Sequence, residues 1–314
     1  MTRLATTLVV VLALAGRSPA ADPPKAGEYT AELNGLKLWY KVSGRGPVCL
    51  MPSPAWGVSS DLYFRTLKPL ERFFTVVYLD SRGTGRSAKA KTSKDYTWEL
   101  LVSDLEALRA HLGQDRVWLM GHSEGGIVSA HYACEHPDRV AGLVLLAASA
   151  AMGPKDDADA TARVMKRKDE PWFAAAMLSQ LAGPPKTDEE MAAGMEKLLP
   201  AYWADPSRIA KYKDDFAAST MSVAARAGSE DSKRRHFDLT GRLKKVTAPA
   251  LVVVGDRDFV CPPHMSRTLH LGLANSKLLV IEDCGHFPWM EQAKEFEAQV
   301  PLFLKALGLS EHAD

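Results

Sequence analysis

The stretch Val117-Trp118-Leu119-Met120-Gly121-His122-Ser123-Glu124-Gly125-Gly126 decides how this chain is read. Its first four residues form a short apolar run, as expected of a strand buried on both faces. Gly-x-Ser-x-Gly follows at once, and a helical pattern opens near Gly126 and runs to about Glu135. A serine on so tight a strand-to-helix turn stands clear of the sheet, beside the free N–H groups and positive dipole end of the helix. Gly121, Gly125 and Gly126 leave room for the turn because they lack side chains. Ser123 is therefore a candidate nucleophile. The bare five-residue pattern is weak, since a Gly-rich turn with an idle serine shares it. The flanking strand and helix carry the inference.

Working outward, short apolar runs alternate with helical stripes. Val48–Met51 and Thr75–Leu79 read as strands, and Leu62–Leu70 has helical spacing between them. Leu101, Leu105, Leu108 and Leu112 form one stripe over Trp98–Leu112, with Gly113 just past its end. Leu143–Leu146 is a further strand. Nearer the N-terminus, Tyr29–Leu33 and Leu36–Val42 flank Asn34-Gly35, a strong hairpin signal. The rhythm breaks between Ala150 and His236, where helical patterns appear around Trp172–Leu181 and Glu190–Leu199 and no strand stands out. It resumes with Ala250–Gly255, a helix over Pro263–Leu273, Lys277–Ile281 and a closing helix over Ala293–Leu307. The fold class expected is α/β, with a mostly parallel central sheet, helices on both faces and a helical lid insertion. The expected layout is a leader over 1–20, core over 21–149, lid over 150–235 and core again over 236–314. A second independent domain in place of the lid is the alternative.

A serine hydroxyl needs a base, and the base needs an orienting carboxylate. His286, in Asp283-Cys284-Gly285-His286-Phe287-Pro288, follows the strand that ends at Ile281. Loops at the carboxyl ends of parallel strands share one crevice, so His286 and Ser123 belong to the same rim. His122 should point away from Ser123 and pack or hydrogen-bond. His264 and His270 read as structural or solvent-facing. Strand Ala250–Gly255 leads into Asp256-Arg257-Asp258, and both aspartates can reach the rim. Asp258 lies further into the loop and is favoured, with Asp256 bracing the turn; the reverse assignment stays open. The chain order is Ser123, Asp258, His286.

Those segments, with Asp80-Ser81-Arg82-Gly83-Thr84-Gly85-Arg86-Ser87, resemble the α/β-hydrolase superfamily, and within it the branch around prolyl aminopeptidases (proline iminopeptidases). The resemblance implies a serine hydrolase that cleaves an ester or amide, in the first place an aminopeptidase acting on N-terminal proline or similar short peptides, with a carboxylesterase for small esters as the alternative, and with Ser123, His286 and Asp258 as its catalytic set. It implies a structural job for the Asp80–Ser87 segment, with Arg82 in a buried ion pair. Such enzymes usually carry His-Gly, often then Gly-Pro-Gly, after the first core strand, where an N–H completes the oxyanion hole. Here Met51-Pro52-Ser53-Pro54-Ala55-Trp56-Gly57 stands in that place. Proline donates no N–H. Ser53 matches the donor position, so the expected oxyanion hole is the N–H pair of Ser53 and Glu124; a rebuilt, degraded hole is the alternative. Trp56 is a candidate substrate-binding residue, or packs under the lid.

Net charge is +1, from 39 basic and 38 acidic residues, so no basic excess exists to neutralise nucleic acid. Arg3, the apolar run Leu4–Ala15 and Ser18-Pro19-Ala20-Ala21 read as a secretory leader cut after Ala20 or Ala21, hence an exported protein. The run is too short for stable membrane insertion, which takes about 20 apolar residues. Cys49 and Cys134 fall in apolar patterns as buried thiols, whereas Cys261 and Cys284 follow late strands and could be neighbours. No metal or cofactor is implied. The expected partner is a small molecule or short peptide. An aminopeptidase would need a carboxylate for the free amine, from Asp156, Asp157, Glu170, Asp214 or Asp215. A carboxylesterase would use an apolar pocket from Met152, Trp172, Phe173 and Met177, which could equally be ordinary lid core. A non-catalytic binding protein on the same fold is the reading from another class.

Overall fold

The structure is a computed structural model that describes residues 22–232 and 234–312. The leader expected over residues 1–20 lies outside the described residues.

Strands β1 (Gly27–Leu33) and β2 (Leu36–Gly44) form the hairpin. Asn34 and Gly35 hold φ of 51° and 75°. Two successive left-handed residues make the turn whose twist matches the strands. Strand β3 (Val48–Pro52) leads to helix α1 (Asp61–Thr66), which stops short of the expected Leu70. Pro69 has no N–H to continue the ladder, and a 3₁₀ turn takes over across Lys68–Arg72. Then come β4 (Thr75–Leu79), α2 (Trp98–His111), β5 (Val117–His122), α3 (Glu124–Glu135) and β6 (Val140–Leu146).

The chain leaves the sheet through β7 (Ala151–Met152) and makes α4 (Pro154–Met165), α5 (Phe173–Leu181), α6 (Asp188–Leu198), α7 (Lys213–Ala218) and α8 (Val223–Asp231). It returns through β8 (Phe237–Asp238), antiparallel to β7. This two-residue ladder is too short to show an alternating pattern, which is why no strand is visible there in the sequence. Strand β9 (Ala250–Gly255), helix α9 (Pro263–Gly272), β10 (Ser276–Ile281), α10 (Pro288–Glu291) and α11 (Ala293–Ala306) complete the core.

The main sheet has eight strands in the order β1-β2-β4-β3-β5-β6-β9-β10. Its β1–β2 and β2–β4 pairs are antiparallel and the rest are parallel. Alternate residues of each strand feed two cores. Leu50, Val77, Leu119 and Val252 pack with Leu105 of α2 and Val128 of α3. Met51, Tyr78, Met120 and Val253 pack with Leu62 of α1 and Phe296 of α11. Both faces of the sheet are thus covered, and its carboxyl edge is left as the place where loops can converge. Among the described residues, no helix is long and apolar enough to cross a membrane.

Candidate active site

Ser123 sits between β5 and α3 with φ 53° and ψ −126°. A non-glycine residue there is strained, and strain of this kind needs surroundings that enforce it. Here the Ser123 N–H donates to Leu146 O of β6 (2.9 Å). The turn is also too tight for side chains nearby. A Cβ on Gly121 would stand 2.4 Å from Gly125 O, and one on Gly125 would stand 2.4 Å from Pro52 O.

His286 Nδ1 lies 2.7 Å from Asp258 Oδ2, with the two side chains 2% and 0% exposed. Asp258 Oδ1 accepts from the N–H groups of Val260 (2.8 Å) and Cys261 (2.9 Å). A carboxylate is acceptor-only, so His286 carries its proton on Nδ1 and leaves Nε2 as the basic lone pair. The histidine's backbone is fixed too: its N–H donates to Tyr202 O (2.7 Å), and its carbonyl accepts from His122 Nε2 (2.9 Å). His122 is held neutral, its pKa pulled well below the usual value by burial and then by His286. With Nε2 donating, its Nδ1 accepts from the Tyr63 hydroxyl (3.1 Å). His122 is thus the hydrogen-bonding residue expected, and it braces the loop of His286.

Asp256 Oδ1 accepts the Cys284 N–H (3.1 Å), so it braces the turn while Asp258 reaches the imidazole. Asp283 is paired with Arg257 instead. His264 is exposed, 3.8 Å from Asp156, and His270 Nδ1 lies 2.8 Å from Ser276 Oγ. Arg82 makes the buried ion pair expected of it, with Asp104 (2.7 and 2.8 Å). Cys49, Cys134, Cys261 and Cys284 are all buried free thiols.

Ser123 and His286 open onto one cavity of about 920 Å³ with mostly apolar walls. No hydrogen bond joins Ser123 Oγ to His286 among the described residues, and such bonds commonly tighten only around substrate. Trp56 and Pro54 line the cavity, as do Met152 and Glu124, but Ser53 does not. The expected Ser53 donor is corrected here. The β3–β4 ladder runs through Pro52, so the Ser53 N–H is its next rung and donates to Leu79 O (2.9 Å). The Ser53 hydroxyl faces Thr84 Oγ1 (3.0 Å) and the Ser81 N–H (3.1 Å), and the residue is fully buried. Glu124 keeps its N–H: as the first residue of α3 it has no intrahelical acceptor.

The carboxylates considered for amine binding are elsewhere. Asp156 caps Gly153 N–H, Asp157 holds Arg235 and His236, Glu170 holds Arg167, and Asp215 holds Arg65. None of the five, Asp214 included, lines the cavity. Of the four apolar residues considered for an acyl pocket, Met152 alone does; Trp172, Phe173 and Met177 lie away from it.

Two supports were not visible in the sequence. Glu291 accepts the N–H groups of Gly285 (2.9 Å), Phe287 (3.4 Å) and Ala204 (2.7 Å), and burial pushes its pKa up to about 7. It ties the loop of His286 to the insertion. Arg234, 2% exposed, reaches the cavity from the end of the insertion, its Nη1 3.1 Å from Glu124 Oε1. Neither residue belongs to a motif; only the packed chain brings them here. Among the described residues, no group of three or more His, Cys, Asp or Glu side chains could hold a metal ion.

A sequence model of the family described as alpha/beta hydrolase fold matches residues 53–293. The chain belongs to the α/β-hydrolases, and it is a hydrolase enzyme. The hydrolase is similar to proline iminopeptidase PfmaB of Pestalotiopsis fici, 27% identical over 267 residues, 83% of this chain and 93% of that one. An α/β fold family hydrolase from Bacillus anthracis superposes with a TM-score of 0.73 at 19% identity, covering 90% of this chain and 99% of that one. The enol-lactonase of Burkholderia xenovorans superposes with a TM-score of 0.63 at 25% identity, covering 88% and 100%. This hydrolase thus has the expected α/β architecture and resembles the proline iminopeptidases in sequence.

Proposed function

We propose that this α/β-hydrolase cleaves small carboxylic esters through an acyl-enzyme formed on Ser123. The observation that carries this reading is the fully buried 2.7 Å bond between Asp258 and His286, opening on the same cavity as Ser123. His286 Nε2 takes the Ser123 proton as Oγ attacks the carbonyl carbon. The developing oxyanion meets the Glu124 N–H and the positive end of α3. His286 returns the proton to the leaving alcohol, and a water it then activates releases the acid. Asp258 holds the tautomer and stabilises the imidazolium.

A second reading draws on the relatives named proline iminopeptidase: the same steps on an amide, with a free N-terminal amine. Glu196 and Glu230, exposed residues that line the cavity, would be its amine acceptors. The ester is preferred because the walls are mostly apolar and the shielded Glu124 is held by Arg234. The leader over residues 1–20 would place this activity outside the cytoplasm.

A fluorophosphonate probe tests the nucleophile. Wild type is expected to be labelled and Ser123→Ala to stay blank, with a fall in ester turnover of about 10⁵- to 10⁶-fold. A folded wild type that resists the probe would sink the enzyme reading in favour of a binding protein. p-Nitrophenyl butyrate against proline naphthylamide then separates the two substrates. Cleavage of the naphthylamide alone would overturn the ester in favour of the peptide.

A further inference from the structure

The charges around the cavity do not cancel where water is scarce. Glu196, Lys213, Glu230 and Arg235 line it as exposed residues, two of each sign. The shielded charged residues are Glu124, Arg226 and Arg234, one negative and two positive. Glu124 and Arg234 face each other at 3.1 Å, and Arg234 Nη2 donates to Ala55 O (3.2 Å). Arg234 Nε and Nη1 still make no hydrogen bond, the approach to Glu124 being poorly aligned. Arg226, half-buried on α8, is the cation left over. Among the described residues its guanidinium makes no hydrogen bond or ion pair, not even with Glu230 one turn along the helix.

A half-buried arginine with no side-chain partner leaves charged donors open to a ligand, and proteins commonly pair such groups. Its position indicates what the partner would be. Arg226 lines the same cavity as Ser123 and His286, and the remaining walls of that cavity suit a hydrocarbon chain. A guanidinium fork matches a carboxylate in shape as well as charge. An ammonium group would meet a net positive charge, because the two shielded arginines outnumber Glu124.

We propose that the cavity selects esters whose far end is a carboxylate, such as half-esters of dicarboxylic acids, with Arg226 receiving that carboxylate. This rests on the ester-hydrolase reading and names its substrate class. Arg226 is a specificity-determining residue, set at the far end of the substrate from the bond that breaks.

Monomethyl adipate and methyl hexanoate have matched chains and differ in the terminal carboxylate. The test is the ratio of their kcat/KM values, followed by acid release. Wild type is expected to favour the half-ester by about tenfold or more, the scale of one hydrogen bond to a charged group. Arg226→Gln should lower that ratio about tenfold, and Arg226→Lys should restore part of it. Misfolding would lower both rates together and leave the ratio alone, so a lost fold cannot imitate the effect. Protection of Ser123 from a fluorophosphonate by monomethyl adipate, weakened in Arg226→Gln, gives a readout independent of turnover. An unchanged ratio and unchanged protection in Arg226→Gln, or a wild type that prefers methyl hexanoate, overturns the proposal while the hydrolase reading stands. A folded wild type that neither turns over an ester nor takes the probe overturns both.

Discussion

The turns after β3 and β5 leave the sheet side by side, since the two strands are hydrogen-bonded neighbours. They differ in what their backbones have left to offer. After β5 the chain enters a helix immediately, so the Glu124 N–H stays free of the sheet and of α3. After β3 the ladder with β4 continues one rung further and takes the Ser53 N–H, and prolines on both sides donate nothing. A donor for catalysis is thus decided by where a ladder stops, a property of two strands together rather than of one motif. In this hydrolase the β5 turn keeps an unpaired backbone N–H, while the β3 turn supplies wall: Pro54 and Trp56 line the cavity.

That contrast can be broken or sharpened by substitution. Asp258→Asn leaves both turns in place and removes the base's orientation; kcat on an active ester should fall about 10⁴-fold with the fold intact. The residual rate measures what the turns achieve alone, and a fall under tenfold would mean that another group orients His286. Glu291 holds the loop that faces both turns. Its folded pKa, about 7, stands above the unfolded value of 4.5. The native state therefore binds the extra proton between those values, and Glu291 contributes less stability as pH rises through about 7. In urea melts, the stability of wild type relative to Glu291→Gln should drop by on the order of 2–3 kcal/mol from pH 4.5 to pH 8. A pH-independent difference would show that the carboxyl is ionised throughout. The smallest effect is expected at Pro54→Ala, which adds a backbone N–H to a cavity-lining position. Losing an oxyanion donor commonly costs about 10²–10³ in kcat, so one imperfectly placed new donor should raise kcat about tenfold. No rise, in a variant of unchanged melting temperature, would show that the β3 turn faces away from the oxyanion.

Much of this is legible in the sequence because it is local. The run Val117–Met120 with its following glycines marks a buried strand entering a helix, and Asn34-Gly35 marks a turn that few other pairs adopt so readily. Asp258 and His286 are found by the rule that parallel strands deliver their loops to one edge. What escapes is relational. Ser53 looks like a donor until the register of β3 against β4 is known. The β7–β8 ladder has too few residues to carry a period. Arg226, Arg234 and Glu291 gain meaning from the neighbours that packing gives them, and nothing in their immediate sequence announces it. Leu62–Leu70 differs in kind: its apolar spacing suits one helix, yet Pro69 forces a 3₁₀ turn in its second half.

The loop of His286 is fastened to the insertion through Tyr202 O and, by way of Glu291, through the Ala204 N–H and Arg208. The wall of the cavity and the histidine that opens onto it are therefore coupled parts. Grafting another hydrolase's cap onto this core would carry away half of the histidine's mounting along with the old substrate preference. A chimaera of that kind would need the 202–212 segment left behind, or it would alter rate and selectivity at once.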